Sequence, residues 1–547
     1  MTNKELADLI FPNINKTIGD YEEIYKSRDL KEGAKVTRFA PSPTGFVHIG
    51  NLLQALTDYL LAKNSDGVFF LRNEDTDTKR EVDEAVDKIM DVLNYTGFTP
   101  DEYQYKGKVI GEYGPYVQSE RKEIYHAFIK HLIEIDRAYP CFCTSDELDV
   151  MRKKQEAKKL QPGYYGAWAK CRDLSNEEKA EKIKNGEPFV IRFKSMGNPN
   201  RKFEYNDLVT GVIEFPENNN DMVIMKSGDL LPTYHFAHVV DDHLMRTTHV
   251  VRGQEWLPSI PLHVEMFNAF GFETPNYIHN SLLLKQDGNS RRKISKRKDP
   301  EALMDYYIEK GYPSISVIES LMTILNSNYE EWRDQNPDKS FLEFEFNPSK
   351  VGTTGALYDL EKLDNISKNI ISKMTKDEVY DQLVAYTEKY DKEFYYIVTS
   401  NPEYTKEILN IEREQEKPRK DYACFSDVRN SIWYMFDELY KPSEYEWMKI
   451  TDKDEIKNIL NTYIDNYYDP EDDKDTWFNK IKELTDSLGY CSNMKEYKTN
   501  PDNYKGNVAD VSSVIRIALT SRSQTPDLYC ILKLLGKDRI KSRINNL

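Results

Sequence analysis

Apolar positions along the chain follow two periodicities, and the switch between them marks its elements. Residues 36–39 (VTRF) are a short apolar lead that predicts a strand. Pro41, Pro43 and Gly45 then force a turn. Beyond it Leu52, Leu53, Leu56, Tyr59 and Leu60 share one face at helical spacing, with Gly67 as the predicted stop. Residues 68–71 (VFFL) are continuously apolar, which fits a strand of a parallel sheet buried on both faces. Residues 75–135 are expected to be mostly helical, including an amphipathic AVDKIMDVLNYT run that stops at Gly97. Before residue 35, ELADLIFPNINKTI and YEEIYKSRDL predict short helices. From about residue 300 to the end the pattern turns helical, and few alternating strand patterns appear. The chain therefore reads as α/β in its first part and all-α in its last.

Length changes that picture, because 547 residues exceed what one core usually holds and imply several domains. With 39% hydrophobic and 31% charged residues the composition is globular. No apolar run reaches the length of a membrane span, and MTNKELADLI lacks a basic-then-apolar leader pattern, so no membrane and a cytoplasmic location are expected. A net charge of −17 argues against a nucleic-acid partner in bulk. Local potential is another matter, since seven basic residues lie between Lys285 and Lys298. Six irregularly spaced cysteines do not suggest disulfides. Cys141 and Cys143, with Cys171 some way on, instead have the spacing of a tetrahedral zinc site, or are ordinary reduced thiols; the fourth ligand stays open among Asp173, Tyr164 and Tyr165.

Chemistry is concentrated in two strings. Residues 38–51 read RFAPSPTGFVHIGN and place His48, Gly50 and Asn51 at a helix start, where free N–H groups and the dipole favour phosphate. Gly50 would let a flat ring or a phosphate approach the backbone. A lone H-I-G would be a chance histidine in a βα loop. However, K-I-S-K-R follows at 293–297, inside the basic run, where mobile ammonium groups could neutralise developing phosphate charge. Together, and in this order, the two strings resemble the signatures of the class I aminoacyl-tRNA synthetases, and A-P-S-P-T-G resembles the glutamyl/glutaminyl branch. The family's second histidine is Asn51 here, which glutamyl enzymes commonly vary.

That resemblance implies a set of roles. His48, Lys293 and Lys296 would be catalytic, and His48, Gly50, Asn51, Ser295, Lys296 and Arg297 would bind ATP with Mg2+. Arg38, Ala40, Ser42, Glu74, Tyr234, His238 and Arg252 would line the glutamate pocket. Many bacterial glutamyl enzymes carry asparagine where His238 stands. Glutamate has two carboxylates and one ammonium, so Arg38 and Arg252 could each take a carboxylate and Glu74 the ammonium. Some glutamyl enzymes bind Zn2+ at a C-x-C…C site like the one around Cys141.

The implied fold is a Rossmann-like class I catalytic domain with an inserted α+β acceptor-binding domain, followed by all-α stem-contact and anticodon-binding domains. Boundaries are placed at 1–34 (an extension of unassigned role), 35–118 and 233–298 (catalytic halves), 119–232 (insertion), 299–375 (stem contact) and 376–547 (helical anticodon domain). Arg419 would be an anticodon-reading arginine. The bacterial glutamyl type is favoured over the glutaminyl type, which reads the anticodon with β-barrels. A short paralogue that modifies a tRNA base lacks the roughly 170 residues after 375, and a non-catalytic RNA-binding relative would not need both strings. The expected partners are L-glutamate and tRNA-Glu, with tRNA-Gln as a second candidate, acting on a monomer.

Overall fold

Two units make up the structure, a computed structural model that describes residues 1–43, 45–77, 84–442 and 444–547. The first comprises Met1–Tyr307 with Ile318–Asp359, the second Ile308–Val317 with Leu360–Leu547.

The first unit opens with helices α1 (Asn3–Ile10) and α2 (Ile18–Ile24), each started by a reciprocal cap, Thr2 with Glu5 and Thr17 with Asp20. Strand β1 (Val36–Phe39), helix α3 (Ile49–Lys63) and β2 (Val68–Leu71) follow where the apolar pattern predicts them. Gly67 does more than stop the helix: a Cβ there would lie 1.9 Å from the Lys35 carbonyl oxygen, so only glycine lets the chain enter β2 beside β1. Helix α4 (Ala85–Thr96) ends at Gly97 in the left-handed region.

The expected helical run over 75–135 is broken by a hairpin, β3 (Tyr103–Tyr105) with β4 (Lys108–Ile110). Its turn, Lys106-Gly107, has both residues at positive φ, which matches the twist of the flanking strands. Residues 78–83 of that run, and Thr44 of the first string, lie outside the described residues.

The insertion is α+β. It contains α5 (Lys122–Glu134), β5 (Ala138–Cys141), α6 (Ser145–Ala157), α7 (Asn176–Lys184), β6 (Val190–Phe193), β7 (Lys202–Asp207), β8 (Gly211–Pro216) and β9 (Val223–Met225). Strands β5, β6 and β9 form an antiparallel sheet, and β7–β8 is a separate hairpin. Then come α8 (Tyr234–Leu244), β10 (His249–Gly253), α9 (Ile260–Phe270), β11 (Asn276–Asn280), and the hairpin β12 (Leu283–Asp287) and β13 (Ser290–Lys293). A two-residue strand, β14 (Ala356–Leu357), pairs in parallel with β12.

Parallel pairs β1–β2 and β10–β11 adjoin, because the Thr248 amide donates to the Val36 carbonyl at 3.0 Å and the Val36 amide to Thr248 Oγ1 at 2.8 Å. Helix α3 leads outward from β1 and α9 outward from β10, so the winding reverses between these two strands. Ligands of such sheets bind in the crevice beyond the strand ends at that reversal. The extension packs α1 and α2 into the same core as α5, around Leu6, Tyr21 and Phe128. In the second unit the elements from residue 360 on are helical among the described residues, around a core that includes Leu383, Val428, Ile459, Val511 and Ile531.

Candidate active site

Asp241 and Asp242, adjacent on α8, are both buried. Asp241 accepts from Arg121 Nε (2.7 Å), the Tyr125 hydroxyl (2.7 Å) and Gln118 Nε2 (2.8 Å). Asp242 accepts from Arg72 Nη1 (2.8 Å), Arg38 Nε (3.1 Å) and the Thr247 hydroxyl (3.0 Å). Against the cost of burial, Arg38 and Arg72 hold the Asp242 carboxyl well below the usual range. Arg72, at the end of β2, also donates to Glu74 at 2.9 Å. Burial pushes the Glu74 carboxyl up, with Arg72 opposing. Neither Arg72 nor the aspartate pair was singled out from the sequence, although two carboxylates inside the apolar stretch HFAHVVDDHL were a visible signal.

In front of this network lies a cavity of about 810 Å³. Arg38, Ala40, Ser42, Glu74, Tyr234 and Arg252 line it together, although the first and last of them lie more than two hundred residues apart in the chain. His238 does not reach its wall. It is fully buried, with Nδ1 on Asp242 and Nε2 on the Tyr277 hydroxyl (2.7 Å), and its ring stacks on that of the lining Tyr234 at 5.9 Å. Both ring nitrogens are thus committed, and burial lowers its pKa to about 3. Arg252 differs from Arg38, Arg72 and Arg121: its partners are imidazoles and the face of Tyr277, with no ion-paired carboxylate among the described residues.

A second cavity, about 240 Å³, shares Asn51, Gln54 and Glu255 with the first. It brings His48, Gly50 and Asn51 to Lys293 and Lys296, joining the two strings. His48 is the N-cap of α3. Its Nδ1 accepts the Gly50 amide at 2.9 Å, and its own amide donates to Asn51 Oδ1 at 3.2 Å. A Cβ on Gly50 would press on the imidazole at 3.2 Å. Asn51, in place of a second histidine, thus completes a reciprocal cap that fixes the ring. Burial, then Lys296 and Lys293, lower the His48 pKa to about 4. Lys296 Nζ donates to the Phe46 carbonyl at 2.9 Å, and Lys293 Nζ lies 3.6 Å from Glu255. The loop between them is shaped by Asp299, which accepts both Arg292 Nη groups (2.6 and 2.7 Å) and the Ser295 amide (2.9 Å). Ser295 is half-buried there and Arg297 is exposed; neither lines the cavity.

The three cysteine sulfurs in the insertion lie within 4.8 Å of one another. Tyr164 Oη is 3.4 Å from Cys141 Sγ and 3.3 Å from Cys143 Sγ, and it accepts the Cys171 amide at 3.0 Å. Of the three open candidates, Tyr164 is therefore the one that meets the thiols. Tyr165 turns to the Gln161 carbonyl and Asp173 is exposed. In the helical unit Arg419 lines a cavity of about 180 Å³ with Arg413, Arg522 and Gln524, and pairs with Asp421 at 2.5 Å.

The catalytic-domain model of the class I tRNA synthetases (E and Q) matches residues 35–337, and an anticodon binding domain model matches residues 502–547. A glutamate–tRNA ligase of Clostridium perfringens strain 13 is 50% identical over 548 residues, covering 100% of both chains. The chain belongs to the glutamate–tRNA ligase family. Another such ligase, from Clostridium beijerinckii, is 48% identical and covers 100% of this chain and 99% of its own. Among solved structures, a glutamate tRNA ligase of Elizabethkingia meningosepticum in complex with its amino acid is 27% identical, with a TM-score of 0.75 over 94% of this chain and 98% of that one. Membership fits the pairing of a catalytic α/β unit with a helical one, and no described helix is long and apolar enough to cross a membrane.

His48 should be neutral through the physiological range. Its ring resonance, assigned by its loss in His48→Asn, should titrate at about 4. A midpoint near the ordinary histidine value of about 6.5 would contradict the capped, buried geometry.

Proposed function

We propose that this chain activates L-glutamate with ATP to glutamyl-adenylate and transfers the glutamyl group to the 3′ end of tRNA-Glu. The observation that carries the reading is the junction of two cavities: one lined by Arg38, Glu74 and Arg252, the other by His48, Lys293 and Lys296. A glutamate carboxylate attacks the α-phosphorus of ATP, the bond to the bridging oxygen breaks, and pyrophosphate leaves with the electron pair. Lys293 and Lys296, on a loop that can follow the phosphates, neutralise the charge that develops there, and no enzyme nucleophile is needed. His48, neutral and fixed by its cap, offers Nε2–H to the same phosphate, with Gly50 and Asn51 beneath the nucleotide and Ser295 and Arg297 on the moving loop. Arg38 and Arg252 take the substrate carboxylates, while Glu74 and Tyr234 face its ammonium beside Ala40 and Ser42. His238 supports Tyr234 from behind instead of touching glutamate. Magnesium would come with ATP and neutralise its phosphates, and Glu255 is the carboxylate common to both cavities.

Three thiols and a phenol form a four-donor set that fits zinc, which Cys141, Cys143, Cys171 and Tyr164 would hold. Zinc there would pin the end of β5 to residues 164–171, a structural role. The inserted residues 119–232 would grip the acceptor end, 299–375 the stem, and 376–547 the anticodon, with Arg419 and its neighbours as base-reading groups. A cytoplasmic monomer suffices for this work, since each proposed site lies within one chain.

Charging of purified tRNA-Glu and tRNA-Gln with labelled glutamate and with glutamine tests the function. Glutamate on tRNA-Glu is the expected product, glutamate on tRNA-Gln would mark a relaxed enzyme, and glutamine transfer would overturn the pocket. Lys296→Ala should lower adenylate formation by about 100-fold or more while leaving tRNA affinity within about twofold; unchanged activity would refute its role. After exhaustive dialysis, protein expressed with zinc available should retain stoichiometric zinc, and Tyr164→Phe should release it more readily to a chelator; metal-free protein would sink the site.

A further inference from the structure

Arg252 is 4% exposed and lines the first cavity, yet its anchors are two histidines, His263 and His279, that lie outside both signature strings. Its Nε donates to His279 Nε2 at 2.9 Å and its Nη1 to His263 Nδ1 at 3.1 Å, while its Cζ lies 4.3 Å from the Tyr277 ring centre. Its Nη2 has no hydrogen-bond partner among the described residues.

An arginine can only donate, so both imidazole nitrogens facing it must be lone-pair acceptors. His279 then carries its proton on Nδ1, which lies 2.6 Å from Asp207 Oδ2 and donates to it. His263 carries its proton on Nε2, which lies 2.9 Å from His235 Nδ1. Both rings are buried, and burial keeps them neutral, with Arg252 opposing protonation of each. Asp207 is itself locked. It ends β7 in the insertion, and its Oδ1 accepts the amides of Val209 (3.0 Å) and Thr210 (2.9 Å) and the Thr210 hydroxyl (3.0 Å). Only Oδ2 is left for His279. The hairpin is docked on β11, because the Leu208 amide donates to the Tyr277 carbonyl and the Tyr277 amide to the Tyr205 hydroxyl.

We propose that Asp207 is a positioning residue for glutamate recognition: it sets the tautomer of His279, which with His263 fixes the plane of the Arg252 guanidinium so that its remaining N–H groups meet a substrate carboxylate. This rests on the reading that Arg252 binds glutamate. It makes a hairpin of the insertion part of the amino-acid specificity device. The logic is that of a carboxylate holding an imidazole in one tautomer, at a distance from the reacting atoms.

The isosteric change Asp207→Asn separates this from a structural role. Three donors claim the Oδ1 position, so the amide oxygen stays there and the NH2 faces His279 Nδ1. Nδ1 becomes an acceptor, the proton moves to Nε2, and N–H then opposes N–H at Arg252. Aminoacylation by Asp207→Asn should show KM for glutamate raised about ten- to a hundredfold, with KM for ATP and for tRNA within about twofold. Adding His279→Gln should restore most of the loss, because the glutamine Oε1 accepts from Arg252 whatever stands at 207. Equal changes in all three KM values, no change, or no rescue would overturn the proposal. Arg252→Gln is measured alongside: a raised KM for glutamate in it, with Asp207→Asn unaffected, refutes only the positioning role. An unchanged KM in Arg252→Gln refutes the pocket reading and the proposal with it.

Discussion

Everything at the site depends on one constraint: two neighbouring carboxylates on one helix hold three buried arginines. Arg38 comes from β1, Arg72 from the end of β2, and Arg121 from the turn that leads into the insertion. Asp241 and Asp242 thus tie the first half of the sheet and the entry to the insertion to a helix from the second half. Buried pairs of this kind add little net stability, but breaking one leaves an uncompensated charge that costs about 3–5 kcal/mol. The network is therefore intolerant of change, which suits a pocket that must keep its geometry while empty. It also ion-pairs Arg38, Arg72 and Arg121, whereas Arg252 at the cavity wall has only neutral partners among the described residues.

Beside that pocket, the side chains proposed for phosphate chemistry are held differently. Lys293 is more than half exposed and Lys296 is exposed, each with one weak or backbone tether. Charge that must follow a breaking phosphate bond suits long, hydrated side chains on a loop; charge that must measure the spacing of two carboxylates suits planar groups held on several sides. His48 belongs to the fixed class, since its ring is part of the cap of α3. The loop itself is folded by Arg292 on Asp299, a pair whose own charges are used up in shaping it.

What was legible in the sequence follows from range. Strands at 36–39 and 68–71 and the helix from 49 needed only local periodicity, and the contrast between the α/β start and the helical end needed only its change. The hairpin at 103–110 was missed because three-residue strands carry little pattern, although Lys106-Gly107 was its signal. Most of the residues named for the glutamate pocket do share one cavity. His238 does not, because resemblance places a residue along the chain but not behind or in front of Tyr234. Arg72, Asp207, His263 and His279 act through partners up to about 170 residues away, and nothing in a single sequence pairs them. The cysteine cluster shows the same limit: spacing proposed three thiols, and only the fold brought Tyr164, and not its neighbour Tyr165, to them.

The proposed pocket selects a dicarboxylate by paired buried cations. The most direct measurement is the ratio of kcat/KM for glutamate to that for glutamine in adenylate formation by the same preparation. Glutamine is nearly the same size, so the ratio reports charge and not fit. A ratio of about a hundredfold or more in favour of glutamate is predicted, from the penalty of leaving one arginine unpaired. A ratio near unity would mean that Arg38 and Arg252 do not both meet carboxylates, and would contradict the proposed pocket.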